Sequence, residues 1–160
     1  IIDGKLLNKN GFAGEIGHIK VHFGVNSRMC GCGKLGCSEA YVSCKAIVKD
    51  YNDINHTNVN SKELFDLARA KDKLAIKCIN DCARYLAITI ATVVATTGIK
   101  EVHIAGGLSN VGEAFLRNVR YHYPKYCVRN MEDVKIKQAY LQYEAGTYAA
   151  KYLIGDEKNA

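Results

Sequence analysis

A single proline in 160 residues, and no uncharged run as long as a bilayer-spanning helix, argue against two classes of protein at the outset. A chain that nearly avoids proline while 48% of its residues are hydrophobic is neither disordered nor of low complexity, and it carries enough apolar material for one core. The longest uncharged stretch lies between Arg84 and Lys100, contains four threonines, and falls short of the roughly 20 apolar residues a membrane helix needs. No membrane span is expected. There is also no basic-then-apolar leader and no initiating methionine; the first residues are Ile1-Ile2-Asp3, and the chain reads as part of a longer polypeptide. The net charge of +6 is spread along the sequence without forming blocks. That argues for a mildly basic solvated surface and against a nucleic-acid patch, so neither membrane nor nucleic acid is an expected partner.

Cysteine, by contrast, is abundant. There are seven, an odd number, and Cys30, Cys32 and Cys37 fall within eight residues. This crowding is too tight for a disulfide framework and suits a metal site in a reducing cytoplasm.

The remaining pattern is α/β in one domain over residues 1–160. Residues 1–7 read as an apolar strand interrupted by the turn pair Asp3-Gly4, and residues 19–23 as a second strand. Between them residues 11–18 are glycine-rich and looped, and residues 24–37 form an irregular loop pinned by metal. From Ser38 the apolar positions Tyr41, Val42, Ile47 and Val48 take helical spacing, stopping at Tyr51-Asn52-Asp53. Asn60 and Glu63 have capping-box spacing and open a second helix. Asp72 caps a third, through Leu74, Cys78, Cys82 and Leu86 to Gly98. Its β-branched tail favours a strand locally, but no turn signal interrupts it, so helix is expected throughout. Glu101-Val102-His103-Ile104-Ala105 reads as a buried strand running into Gly106-Gly107, then a helix over 113–123 that Pro124 stops. A last strand over 134–141 and a closing helix over 144–153 complete the chain.

His18, Cys30, Cys32 and Cys37 together offer one imidazole and three thiolates, a donor set that suits tetrahedral zinc. With four protein donors no position remains for an activated water, so the zinc is expected to be structural. Gly31, Gly33 and Gly36 let the backbone turn tightly enough to bring sulfurs to about 3.5–4 Å from one another. A metal on one nitrogen of His18 leaves the other as an N–H donor. Glu15 lies three residues before His18 and Glu39 two residues after Cys37, so the metal would hold both carboxylates near one point. Carboxylates beside a fixed N–H donor suit a polyhydroxylated ligand, a sugar. Taken alone, Glu39 fits equally well as an acid in the first turn of the following helix. Gly106-Gly107 permits close approach of a nucleotide, and reads equally well as a tight turn with no ligand. Cys78 and Cys82, four apart on an apolar face, read as core. His22, His56, His103 and His122 have no partner in sequence that singles them out.

Three segments carry a resemblance: Gly14-Glu15-Ile16-Gly17-His18, then Cys30-Gly31-Cys32-Gly33-Lys34-Leu35-Gly36-Cys37-Ser38-Glu39, then Ile104-Ala105-Gly106-Gly107-Leu108-Ser109. They closely resemble the ROK family, bacterial ATP-dependent sugar kinases and sugar-responsive repressors on the actin-like, RNase H-like fold. The resemblance extends over essentially the whole chain and corresponds to the C-terminal half, or lobe, of that family. It implies zinc held by His18, Cys30, Cys32 and Cys37, sugar hydroxyls met by Glu15, His18 and Glu39, and an adenosine-pocket turn at Gly106-Gly107, where Ala105 replaces a glycine often found in the family. Hexose, ATP and Mg are implied for the intact protein, as are a homo-oligomer and a cytoplasmic setting. The general-base aspartate belongs to an N-terminal lobe outside these residues, so no catalytic residue is assigned and the chain by itself is expected to be inactive. The function implied first is the C-terminal lobe of a hexose kinase of the glucokinase type. The alternative is the sugar-sensing effector domain of a ROK repressor.

Overall fold

Local hydrogen-bonding chemistry sets most of the element boundaries. The computed structural model describes residues 11–108, 111–141 and 144–156, so the strand expected over residues 1–7 lies outside them. Within the described residues the order is α1 (Cys44–Asn55), α2 (Ser61–Arg69), α3 (Lys73–Thr97), β1 (Glu101–Ile104), α4 (Glu113–His122), β2 (Lys135–Gln138) and α5 (Ala145–Asp156). The capping box forms as expected: Asn60 Oδ1 accepts from the Glu63 N–H at 3.1 Å, and Glu63 Oε2 accepts from the Asn60 N–H at 2.8 Å. Asp72 caps α3 through the Ala75 N–H at 2.7 Å. The β-branched tail of α3 stays helical, and the hydroxyls of Thr92, Thr96 and Thr97 donate back to carbonyls of the preceding turn.

At 25 residues α3 is long and apolar enough to cross a bilayer by length and composition, yet 56% of its most apolar window is buried inside the protein. Ala75, Cys78, Ile79, Cys82, Ala83, Ala87, Ile90, Ala91 and Val94 of α3 meet Ile47 and Tyr51 of α1, Leu64 of α2, and Phe115, Leu116 and Val119 of α4 in one core. The apolar surface of α3 is thus committed to packing, as befits a central helix. Cys78 and Cys82 belong to that core, as their spacing suggests, and burial pushes the Cys82 thiol up.

Strands β1 and β2 pair in parallel, Glu101 opposite Lys135 through Ile104 opposite Gln138, with α4 as the crossover. The Arg120 Nε donates to the Ile136 carbonyl at 2.8 Å and ties α4 to β2. Strand β1 is not buried on both faces as expected: Glu101 and His103 are exposed, while Val102 and Ile104 pack against the core.

Two further expectations are corrected. Residues 19–23 do not join a sheet ladder. Lys20 makes a lone antiparallel bridge to Cys37, and the N–H groups of Val21 and His22 both turn to the Gly36 carbonyl, so the cysteine loop takes this segment's hydrogen bonds. The first helix does not begin at Ser38 either. Ser38–Ala40 is a short 3-10 turn, and α1 starts only at Cys44, where the Ser43 hydroxyl accepts the Ala46 N–H at 3.0 Å. At its other end α1 passes the expected stop and runs to Asn55.

Candidate functional site

His18 closes a 3-10 turn over Ile16–His18, and the three cysteines follow on the loop that folds back beside it. The donor atoms of His18, Cys30, Cys32 and Cys37 all lie within 4.8 Å of one another. Cys32 Sγ is 3.7 Å from Cys37 Sγ, and Cys30 Sγ is 3.6 Å from His18 Nδ1. A tetrahedron with zinc–sulfur bonds of about 2.3 Å and a zinc–nitrogen bond of about 2.0–2.1 Å has edges of about 3.5–3.8 Å, which these two spacings match, so the four residues could hold a metal ion. None of the cysteines is disulfide-bonded; Cys30 and Cys37 are buried and Cys32 is exposed. The loop closes at Gly36, whose φ is +81° and where a Cβ would lie 2.1 Å from the His22 carbonyl oxygen. Only glycine fits there.

The thiols of the cluster act on one another electrostatically. The Cys32 N–H acts to lower the Cys30 thiol, but burial and the crowding of Cys32, Cys37 and Glu39 outweigh it and push the group up to about 11. The Lys34 N–H pulls the Cys32 thiol down, with help from the neighbouring thiols and Lys20. Acids that oppose one another's ionisation at such short range are relieved by a divalent ion. Lys20 Nζ lies 3.1 Å from Cys37 Sγ and 2.5 Å from the Leu35 carbonyl.

Two carboxylates bracket the imidazole. Glu15 Oε2 is 3.6 Å from His18 Nε2, and Glu39 Oε2 is 3.7 Å from His18 Nδ1 and 3.5 Å from Cys30 Sγ. Both carboxylates are exposed. The structure therefore brings Glu15, His18 and Glu39 together, and Glu39 is not a first-turn acid of α1, whose N-terminus is capped by Ser43.

Gly106-Gly107 lies beyond the end of β1, with Gly106 at φ +81°. Gly107 lines two hollows. One of about 400 Å³ is walled by Val42, Cys44, Leu86, Ala105 and Leu108, among others; the second, of about 440 Å³, adds Ser61, Lys62, Phe65, Arg69 and Val111. The cations Lys62 and Arg69 on α2 carry no sequence signal linking them to the glycine turn.

Also unread in the sequence is how the cysteine loop is seated. Ser38 Oγ lies 2.6 Å from Thr89 Oγ1 of α3, a buried contact between residues 51 positions apart. The Tyr41 and Tyr85 rings stand 4.4 Å apart, with His22 stacked on Tyr41 at 5.5 Å. No local spacing connects such partners.

A model of the ROK family matches residues 1–157. The chain belongs to the ROK family. It is 28% identical to a glucokinase of Halalkalibacterium halodurans, covering all of this chain and 53% of that protein. It is 36% identical to the N-acetylgalactosamine kinase AgaK of a Shewanella strain, over 70% of this chain and 39% of that one. Among solved structures, the ROK hexokinase of Thermus thermophilus matches with a TM-score of 0.78 at 30% identity, over 88% of this chain and 47% of that one. The ROK glucokinase of Streptomyces griseus, solved with glucose and AMPPNP, matches with a TM-score of 0.74 at 25% identity, over 85% and 49% respectively. The fold is the α/β actin-like ATPase type of ROK sugar kinases. The chain spans about half the length of these relatives or less.

Proposed function

We propose that these residues are the C-terminal, sugar-positioning lobe of an ATP-dependent ROK hexose kinase of the glucokinase type. The observation that carries this reading is the bracketing of His18. Nδ1 faces Cys30 Sγ within the cysteine cluster, Nε2 faces Glu15, and Glu39 stands beside Nδ1 of the same ring. An Nε2–H donor beside the Glu15 acceptor, with the Glu39 acceptor at the other side of the ring, complements sugar hydroxyls, each of which both gives and takes a hydrogen bond.

In this reading His18, Cys30, Cys32 and Cys37 hold zinc, which supplies rigidity and charge compensation and no reactive water. Glu15 and Glu39 accept from hydroxyls of the hexose, and His18 Nε2–H donates to it. Kinase catalysis is largely positioning and charge stabilisation, and a small misplacement of the acceptor hydroxyl costs orders of magnitude in rate. Anchoring the acceptor on a cross-linked loop meets that demand. The backbone of Gly106 and Gly107 lets the nucleoside approach closely, and Lys62 and Arg69, which line the same hollow as Gly107, supply positive charge toward phosphate. ATP and Mg belong to the intact protein, as does the general base, which these residues do not provide.

Titration of glucose and N-acetylated hexoses into the intact protein tests the reading. Replacing either carboxylate, Glu15→Gln or Glu39→Gln, removes a charged acceptor and is expected to weaken the best hexose by about tenfold or more. An unchanged dissociation constant in both variants removes them from the sugar site.

A further inference from the structure

Glu39 is exposed, on a three-residue turn too short to hold itself, and yet its carboxylate sits in contact with both His18 and Cys30. Something other than the turn must fix it. The cysteine cluster and the buried Ser38–Thr89 contact both hold the start of the turn, and Arg28, a residue assigned no role so far, is a further and independent candidate.

Arg28 engages three segments at once. Its Nη2 pairs with Asp50 Oδ1 of α1 at 2.6 Å, its Nη1 donates to the Ala40 carbonyl at 3.2 Å, and its Cζ lies 4.5 Å from the centre of the Tyr41 ring. Its backbone N–H donates to the Tyr41 hydroxyl at 2.8 Å, and its carbonyl accepts the Gly36 N–H at 2.9 Å. One side chain thereby joins the cysteine loop, the turn that bears Glu39, and α1. The guanidinium and Asp50 are both half-buried, where a paired charge is screened less than at the open surface. Lys49, Asp53, Lys77 and Asp81 line the same hollow, and they pair along their own helices, Lys49 with Asp53 and Lys77 with Asp81. These contacts also need the planar fork: an ammonium is a point charge and cannot reach Asp50, Ala40 and the Tyr41 face together.

We propose that Arg28 is a latch, a positioning residue that holds the Ser38–Ala40 turn, and with it the Glu39 carboxylate, in place independently of the metal. Its consequence for sugar binding rests on the function proposed above; the latch itself does not.

Hydrogen exchange on the intact protein separates the two. The N–H groups of Ala40, Tyr41 and Val42 bond to the carbonyls of Cys37 and Ser38 at 3.1, 2.9 and 2.8 Å and report whether the turn persists. In the wild-type protein they stay protected after the metal is chelated. In chelated Arg28→Lys they exchange about tenfold faster or more, while α3 amides keep their protection. Asp50→Asn, which removes only the ion pair and leaves the contacts to Ala40 and Tyr41, gives an intermediate acceleration, so the proposal does not rest on one variant. Equal protection in chelated wild type and both variants would overturn it, and so would loss of protection in the wild type on chelation alone. In the metal-loaded protein, Arg28→Lys should also weaken hexose binding with metal content unchanged. If Glu39→Gln leaves hexose affinity untouched, Glu39 does not contact the sugar, and the latch is judged on the exchange data alone.

Discussion

His18 points its two ring nitrogens in different directions: Nδ1 lies 3.6 Å from Cys30 Sγ, and Nε2 lies 3.6 Å from the Glu15 carboxylate. A cation on Nδ1 obliges the proton to sit on Nε2, where it faces the acceptor. Nitrogen NMR of the imidazole should therefore show a single Nε2–H tautomer in the metal-loaded protein and a mixture of forms after chelation. A metal-loaded spectrum with the proton on Nδ1 contradicts the assignment.

Three thiolates and a neutral imidazole around a divalent ion leave one net negative charge, and the Lys20 ammonium, 3.1 Å from Cys37 Sγ, offsets it. Outer partners of this kind are worth about 10–100-fold in metal affinity, so Lys20→Met should lower affinity in that range in a competitive chelator titration. Lys20→Arg should retain most of it. Equal affinity in all three proteins makes Lys20 a bystander.

Gly36 combines a left-handed φ of +81° with a Cβ position 2.1 Å from the His22 carbonyl, a backbone atom that cannot swing away. Gly36→Ala should cost at least about 2 kcal/mol of stability, through backbone strain and displacement of the loop, and should release metal as well. Thermal melting and metal analysis on the same sample check both effects.

His122 is buried between α4 and α3, with Nε2 3.0 Å from Asn80 Oδ1 and Nδ1 lacking a partner among the described residues. Burial holds its pKa below 6.5, reinforced by Lys125 and Arg84 and opposed by Asp81. Around and below pH 6.5 the unfolded chain therefore binds more protons than the folded one, and stability falls as the pH drops through 6.5 toward the folded-state pKa; well above 6.5 the group contributes no pH dependence. Melting temperature against pH should show this acid loss in the wild type, and a shallower one in His122→Gln.

Where the controlling chemistry is local, the sequence is legible. Asn60 with Glu63, and Asp72 ahead of α3, satisfy N–H groups three residues away, and both helix starts follow from that spacing. The gathering of His18, Cys30, Cys32 and Cys37 is legible for the same reason, since three of the four fall within one short loop. Residues 19–23 misread because alternation identifies an extended segment and not its partner, which is the Gly36 carbonyl. Ser38 and Tyr41 misread as helix because their real contacts, Thr89 and Tyr85, lie on α3 and leave no periodic trace near residue 40. Arg28 escaped notice likewise, its role depending on Asp50, Ala40 and Tyr41 meeting in space.

The central claim is that a metal-clamped loop aims His18 and two carboxylates at a sugar, and X-ray absorption at the zinc edge of the purified protein tests its foundation most directly. The account predicts about one zinc per chain, bound by three sulfurs at about 2.3 Å and one nitrogen at about 2.0–2.1 Å. A protein purified with no metal, or with zinc in a shell of oxygen and nitrogen alone, would contradict it.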